Sequence, residues 1–224
     1  MTITQYTFNP FLEKVGQEAA TAEEIQNEPM LYGYSIFKLL CHYRDHPLAH
    51  RILTQIMEHP KFSALVYQQA LRGYHPVIDT KSVLLMKGQY PCIPGWHCDG
   101  VIRSSADSQP NLDTLDEPIM HFICTITEED LHIPTLVVDE SVTMNIDTTK
   151  VWYSVDRGVQ AIRPSITVLD NGGIYQFNRA TIHKGTSAEH KAWRFFFRLS
   201  FYHMPCMEEI RKQVQVYTTT SLGW

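Results

Sequence analysis

The stretch WRFFFRLSFY at residues 193–202 limits the possible folds more than any other part of the sequence. Side chains of a β-strand alternate between two faces, so one face here is apolar throughout, with Trp193, Phe195, Phe197, Leu199 and Phe201. The opposite, more polar face carries Arg194, Phe196, Arg198, Ser200 and Tyr202. If the apolar face packs on helices, the polar face points into a β-barrel. A buried arginine there needs an anionic partner, and no acidic residue adjacent in the sequence supplies one. An edge strand with both arginines in water is the alternative, because alternation does not say which face meets solvent.

The remaining sequence predicts a barrel preceded by helices. Residues 1–80 are predicted to be mostly helical, with amphipathic segments at 48–57 and 62–73. Short apolar runs separated by turn residues then predict many strands, typical of a sandwich or barrel, at 82–87, 96–102, 121–127, 135–138, 151–155, 166–169 and 174–177. We therefore expect the 224 residues to form one mainly β domain, with a helical buttress at 1–80, a core at 82–202 and a C-terminal extension at 203–224.

Charge and cysteine usage restrict the environment and the partners. The net charge is −5 and the 19 Lys and Arg residues are scattered, so a nucleic-acid partner is disfavoured, though not excluded. The five cysteines contain no Cys-x-x-Cys pair and the N-terminus has no signal-peptide pattern, which favours a reducing cytoplasm. No apolar run approaches the ~18 residues that would span a bilayer. The sequence gives no indication of oligomeric state.

Three residues have the chemistry of a metal site. His97 and Asp99 lie two positions apart in a segment predicted as a strand, where both side chains would point the same way. His183 follows the turn signal Asp170-Asn171-Gly172-Gly173 and a further predicted strand. Two histidines and one carboxylate can hold one face of Fe(II) and leave positions open for substrate and oxygen. The alternative is that both histidines are structural, since His-x-Asp alone is a weak signal.

The order of these parts resembles the Fe(II)- and 2-oxoglutarate-dependent dioxygenases of the double-stranded β-helix (jelly-roll) fold. The matching motifs are His97-Cys98-Asp99, His183 and Arg198-Leu199-Ser200, and the resemblance covers about residues 82–202. It implies that His97, Asp99 and His183 bind iron and form the catalytic centre. It also implies that Arg198, with Ser200, binds the far carboxylate of 2-oxoglutarate. Arg194 is the rival for that role, and Arg198 is favoured because Ser200 lies on the same strand face.

The resemblance further implies a reaction class and leaves the substrate open. With O₂ as co-substrate, 2-oxoglutarate would be converted to succinate and CO₂ while a second substrate is hydroxylated or oxidatively demethylated. Aromatic residues near the expected mouth fit a small molecule, an amino-acid or peptide side chain, or a flipped base, and they are Tyr90, Trp96, Phe177 and Tyr202. The acidic segment 104–118 is a candidate lid, with a solvated insertion as its alternative. Two other classes stay open: a cupin-like metalloprotein with isomerase or lyase chemistry, and a non-catalytic metal-binding barrel that acts as a binding module.

Overall fold

The computed structural model describes residues 2–105, 108–117, 120–128, 131–203, 209–210 and 215–218, and the chain is mainly β with antiparallel strand pairing. Its elements are, in order, β1 (Ile3–Phe8), β2 (Leu12–Gln17), α1 (Ala22–Asn27), β3 (Leu31–Tyr32), β4 (Tyr34–Ser35), α2 (Ile36–Cys41), α3 (Pro47–Glu58), α4 (Phe62–Leu71), β5 (His75–Leu85), a 3₁₀ turn (Leu112–Thr114), β6 (Met120–Thr127), β7 (Thr135–Val138), β8 (Val142–Asp147), α5 (Val151–Ile162), β9 (Ile166–Val168), β10 (Gly173–Asn178), β11 (His183–Gly185), β12 (Ala192–Tyr202) and β13 (Glu209–Ile210).

Two sheets form the body of the molecule. The larger sheet has the order β2-β10-β6-β12-β5-β4, so the alternating strand recognised in the sequence, β12, lies inside the sheet between β6 and β5. The smaller sheet has the order β11-β7-β9, and an antiparallel bridge joins His97 to His183 at the start of β11. Residues of both sheets line one cavity between them. The interior position of β12 excludes the edge-strand alternative.

The apolar face of β12 packs against the N-terminal helices, as the alternation predicts. Phe195, Phe197 and Leu199 are fully buried in the same cluster as Leu48 and Ile52 of α3. Burying one such side chain contributes ~1.5–3 kcal/mol, so this contact fixes which face of the sheet is covered. The opposite face of β12 is therefore the one that lines the cavity.

Helix α3 begins where its sequence suggests. Pro47 occupies the first turn, where its missing N–H costs nothing. The buried carboxylate of Glu28 accepts hydrogen bonds from the backbone N–H groups of Leu48 and Ala49, at 3.0 and 2.8 Å. Two amide groups at the helix start thus have an anionic acceptor, which the positive end of the helix dipole also favours.

The predicted helical region 1–80 is helical only between residues 22 and 71. The first 17 residues form the strands β1 and β2, and β5 begins at His75 rather than at 82. β1 and β2 are half-exposed and lack a clear apolar alternation, so the sequence pattern does not reveal them. The strands predicted at 121–127 and 135–138 are confirmed as β6 and β7.

Two further strand predictions are wrong. Residues 151–155 form the start of α5, where Val151, Val155 and Val159 share a buried face at helical spacing. A run of five residues, four of them apolar or aromatic, was too short to separate the two periods. Residues 96–102 form no regular strand, and only His97 makes a bridge. Gly95 and Gly100 have φ values of 110° and 70°, which interrupt extended backbone on both sides.

The acidic segment 104–118 is tied to the body at two points. Asp113 accepts a hydrogen bond from the Tyr6 hydroxyl, and Glu117 accepts one from Arg179 at 2.6 Å. Residues 106–107 and 118–119 lie outside the described residues, and the lid stays a prediction. Of the C-terminal extension, β13 pairs with β3 and Tyr217 bridges to Tyr90. No helix within the described residues is long and apolar enough to cross a membrane.

Candidate metal centre

The structure brings together the three residues that the sequence singled out as metal ligands. His97 and His183 exchange backbone hydrogen bonds of 3.0 and 2.9 Å, and their ring centroids are 4.8 Å apart. Asp99 Oδ2 lies 3.7 Å from His183 Nε2. One ligand atom from each of the three residues lies within 4.8 Å of the others, so the group could hold a metal ion. The bridge between His97 and His183, rather than a continuous strand, brings the two rings together.

Backbone carbonyl groups orient both imidazole rings. His97 Nδ1 lies 2.9 Å from the carbonyl oxygen of Gly95, and His183 Nδ1 lies 3.0 Å from that of Thr181. An Nδ1–H that donates to a carbonyl fixes the tautomer and leaves Nε2 with its lone pair. Each histidine is thus set to bind a cation through Nε2. This arrangement fits a metal ion better than a pair of purely structural histidines.

The protonation states also suit a metal. Burial, together with the neighbouring His183, lowers the pKa of His97 to about 4. Burial alone would raise the pKa of Asp99, but Arg198 and the two histidines outweigh it and hold that pKa below its usual range. Metal ligands must be deprotonated to bind. At neutral pH His97 is neutral and Asp99 is ionised, so neither has to lose a proton.

Arg198 is paired with two carboxylates. Its Nη1 donates to Asp99 Oδ2 and its Nη2 donates to Asp79 Oδ2, both at 2.9 Å. Asp79 lies directly opposite Arg198 on β5, and its other oxygen accepts the backbone N–H of Gly33 at 3.0 Å. As the sequence suggested, no adjacent residue supplies a carboxylate to Arg198. Both partners come from distant parts of the chain, which local sequence does not show.

Ser200 faces a different partner. Its hydroxyl lies 2.9 Å from Nδ1 of His121, and both side chains are fully buried. Burial lowers the pKa of His121 to about 3, so this ring is neutral. The pairing with His121 removes the main reason for preferring Arg198 over Arg194.

Arg194 is a buried cation of the inner cavity that has no ion-pair partner among the described residues. The residue is 4% exposed. Its side-chain hydrogen bond within the described residues is donated by Nη2 to the Thr135 hydroxyl at 3.4 Å. Its Nε is buried without a hydrogen-bond partner, and no described carboxylate forms an ion pair with it. Burial lowers the pKa of Arg194. A buried guanidinium without an anion is costly, so this position favours an anionic ligand.

Two cavities meet at the triad. The inner cavity, of about 170 Å³, lies between the sheets and is lined by Asp79, Lys81, Thr135, Arg194, Arg198 and the triad among others. The outer cavity, of about 420 Å³, opens to solvent and is lined by Ile93, Val101, Arg103, Trp152, Tyr217 and others. Lys81, Cys92, His97 and Asp99 line both. A metal held by the triad would therefore face a deep pocket on one side and a wider, accessible pocket on the other.

Sequence reasoning missed several residues of these cavities. Asp79 and Lys81 lie on the cavity side of β5, and their alternation would have indicated this if the strand had been started at residue 75. Trp152 reaches the outer cavity from α5, which was predicted as a strand. Of the aromatic residues expected near the mouth, Trp96 and Phe177 are buried in core clusters. The aromatic residues that line the outer cavity are instead Trp152 and Tyr217.

No protein-family model matches the chain, and no curated protein is similar to it. The functional argument therefore depends on the geometry of the two cavities and the triad.

Proposed function

We propose that this protein is an Fe(II)- and 2-oxoglutarate-dependent oxygenase built on a double-stranded β-helix. The observation that carries the proposal is Arg194, a buried guanidinium with no carboxylate partner among the described residues, in the cavity that the His97, Asp99 and His183 side chains share. A metal triad needs only a metal. A buried free cation beside it also calls for an anionic co-substrate of limited size.

The strand order supports a jelly-roll core. Along the chain, β5, β6, β10 and β12 belong to the larger sheet, whereas the His97 bridge, β7, β9 and β11 belong to the smaller one. These eight segments pass repeatedly between two facing sheets, as in a jelly roll of two Greek keys. The topology places Arg194 and the triad on facing sheets with a cavity between them.

The chain's own side chains have separate tasks in this proposal. The guanidinium of Arg194 binds the far carboxylate of 2-oxoglutarate by charge-assisted hydrogen bonds, with the Thr135 hydroxyl beside it. Arg198 is already bound to Asp79 and Asp99, so it orients the metal ligand Asp99 rather than the co-substrate. Iron bound by the triad would supply the oxidative chemistry, in which 2-oxoglutarate and O₂ give succinate, CO₂ and an oxidised second substrate.

Calorimetry on the metal-loaded protein tests the proposal. Under anaerobic conditions, Fe(II)-loaded protein should bind 2-oxoglutarate and develop a weak visible charge-transfer band. Arg194→Gln should leave the metal affinity unchanged and lower the affinity for 2-oxoglutarate by at least about tenfold, since a hydrogen bond to a charged group contributes ~1.5–3 kcal/mol. The matched control is Arg157→Gln, which removes an exposed arginine of α5.

Each alternative predicts a different result. A cupin-like metalloprotein or a non-catalytic barrel would bind metal through the triad without any response to 2-oxoglutarate. If metal-loaded protein shows neither heat nor band with 2-oxoglutarate, the oxygenase proposal is wrong. If Arg198→Gln, but not Arg194→Gln, weakens 2-oxoglutarate at saturating metal, then the assignment of the carboxylate to Arg194 is wrong.

A further inference from the structure

The outer cavity has a charge pattern that indicates what kind of molecule it takes. Two cationic side chains, Lys81 and Arg103, line it. Among the described residues, Asp99 is the one carboxylate in its lining, and Asp99 belongs to the metal triad. Once Asp99 is committed to a metal and to Arg198, no further carboxylate of the described lining offsets the charge of Arg103.

The acidic segment beside the cavity does not change this balance. The Asp113 carboxylate accepts the Tyr6 hydroxyl, and Glu117 is bound by Arg179 and by Tyr74 at 2.6 and 3.0 Å. Neither side chain lines the outer cavity. These two carboxylates therefore offer no acceptor for a positively charged group in the outer cavity.

The wall of the outer cavity next to the triad is apolar and aromatic. Trp152 is 6% exposed and packs in a core cluster, and its ring lies edge-on to the His97 ring at 6.4 Å between centroids. Ile93 and Val101 are half-buried in the same lining. A tryptophan held by core packing offers a rigid surface for an apolar or aromatic group. An apolar body on this wall would lie beside the metal ligands.

We propose that the outer cavity binds a small organic anion, an apolar or aromatic carboxylic acid without a free ammonium group, as the substrate to be oxidised. Its carboxylate pairs with Arg103, and its apolar body packs on Trp152. An ammonium group would need an anionic acceptor, and the described lining offers none beyond Asp99. The volume of about 420 Å³ falls within the ~300–1,000 Å³ of small-molecule sites.

This inference depends on the proposed function, because it takes the inner cavity to be filled by 2-oxoglutarate. The test uses protein loaded with Mn(II) and saturating 2-oxoglutarate without oxygen, and measures the proton relaxation of four added probes. These are 3-phenylpropionate, its neutral analogue 3-phenylpropionamide, the zwitterion phenylalanine, and phenyl phosphate. Paramagnetic relaxation by Mn(II) falls steeply with distance, so it reports only probes held near the triad.

We expect relaxation of 3-phenylpropionate at concentrations at least fivefold below those needed for the amide and for phenylalanine. Arg103→Gln should reduce the preference for the acid over the amide about fivefold, the effect of ~1 kcal/mol for an exposed ion pair. Arg103 does not line the inner cavity, so binding of 2-oxoglutarate should be unchanged. Arg72→Gln, which removes an exposed arginine after α4, is the matched control.

The outcomes separate the two proposals. Equal relaxation of acid and amide, including none for either, overturns the inference even when 2-oxoglutarate binds normally. A preference that survives in Arg103→Gln also overturns it. Stronger relaxation of phenyl phosphate than of the carboxylate would change the anion from carboxylate to phosphate and contradict the inference as stated. Failure of 2-oxoglutarate to bind the wild-type protein overturns the proposed function itself.

Discussion

The guanidinium of Arg198 is held between two carboxylates in the wall of the inner cavity. The alternation of β12 places Arg198 on the cavity side, and the structure confirms that face. Its guanidinium, however, joins Asp99 to Asp79, and Asp79 is anchored by the Gly33 amide. Side chains that orient a metal ligand commonly affect metal affinity without touching the metal. Arg198 is therefore placed to hold Asp99 in the orientation that faces both histidines.

The double variant Arg198→Gln/Asp79→Asn tests this positioning role. Removing Arg198 alone would also remove a positive charge near a cation site, and that change by itself would favour metal binding. The double variant removes one charge of each sign, so the net charge around Asp99 stays the same while its hydrogen-bond donor is lost. We expect Zn(II) affinity to fall about 10- to 100-fold, the usual range for lost partners of metal ligands. Competition with a chromophoric chelator measures it.

The control removes an exposed ion pair elsewhere. Lys14 and Asp170 form such a pair at 2.6 Å, on β2 and in the turn before β10. Lys14→Gln/Asp170→Asn should leave Zn(II) affinity unchanged. Wild-type affinity in the Arg198→Gln/Asp79→Asn protein would show that Arg198 does not position Asp99.

At the scale of elements, the turn before β10 links three strands of the larger sheet. The Gly172 amide donates to the Thr125 carbonyl of β6 at 2.8 Å, and the Gly172 carbonyl accepts the Glu18 amide, just after β2, at 2.9 Å. Gly172 has a φ of 75°, and a Cβ added there would lie 1.8 Å from the Glu18 carbonyl oxygen. The backbone of this turn therefore fits only glycine.

Gly172→Ala should destabilise the protein far more than Gly88→Ala. Gly88 also has a positive φ, of 84°, but a Cβ added there meets nothing within 4 Å. Gly88→Ala thus carries only the cost of a left-handed residue, ~1–2 kcal/mol. Gly172→Ala adds a backbone clash, and we expect a loss of at least about 3 kcal/mol. Urea unfolding measures both, and equal losses would contradict the role given to this turn.

How well the sequence predicted an element depended on whether its burial was one-sided. β12 has one fully apolar face, so period two was visible over its length. α5 has the same one-sided burial, but the prediction used only its first five residues, and these also fit a strand. The burial of β1 does alternate, but its outer face carries Ile3 and its inner face Thr4, so the sequence shows no apolar period, and β2 is half-exposed on both faces. His97 and Asp99 were predicted to share a face through strand geometry. Instead, a single bridge at His97, flanked by Gly95 and Gly100, holds this segment in place.

At the scale of the whole molecule, the triad could be predicted because it depends on residue types and their order. The partners of that triad could not, because they depend on register. β12 pairs with β5 so that Arg198 lies opposite Asp79, and a shift of one residue would place Arg198 opposite Thr80 or Ile78 instead. Local sequence contains no information on that register. The environment of Arg194 likewise depends on Thr135 in the facing sheet.

The same assembly buries neutral histidines from both sheets, and this makes stability depend on pH. Burial lowers the pKa of His97 to about 4 and that of His121 to about 3, and it also lowers the pKa of His46. In the unfolded chain a histidine titrates near its ordinary pKa of ~6.5. Below that pH the unfolded state binds protons that the folded state does not, so stability is present above pH ~6.5 and is lost as the pH falls. The raised pKa of Glu28, caused by burial, acts in the opposite direction, because the folded state then binds a proton more readily than the unfolded state does.

We therefore expect the metal-free protein to lose about 3 kcal/mol of unfolding free energy between pH 7.5 and 5.5. His97 and His121 each contribute ~1.4 kcal/mol of this, the equivalent of one pH unit of full titration. His121→Gln keeps a hydrogen-bonding group for Ser200 and removes the titration, so its loss over the same range should be smaller by about 1.4 kcal/mol. Urea unfolding at both pH values gives the two differences. An unchanged pH dependence in His121→Gln would show that His121 is not held neutral between the sheets.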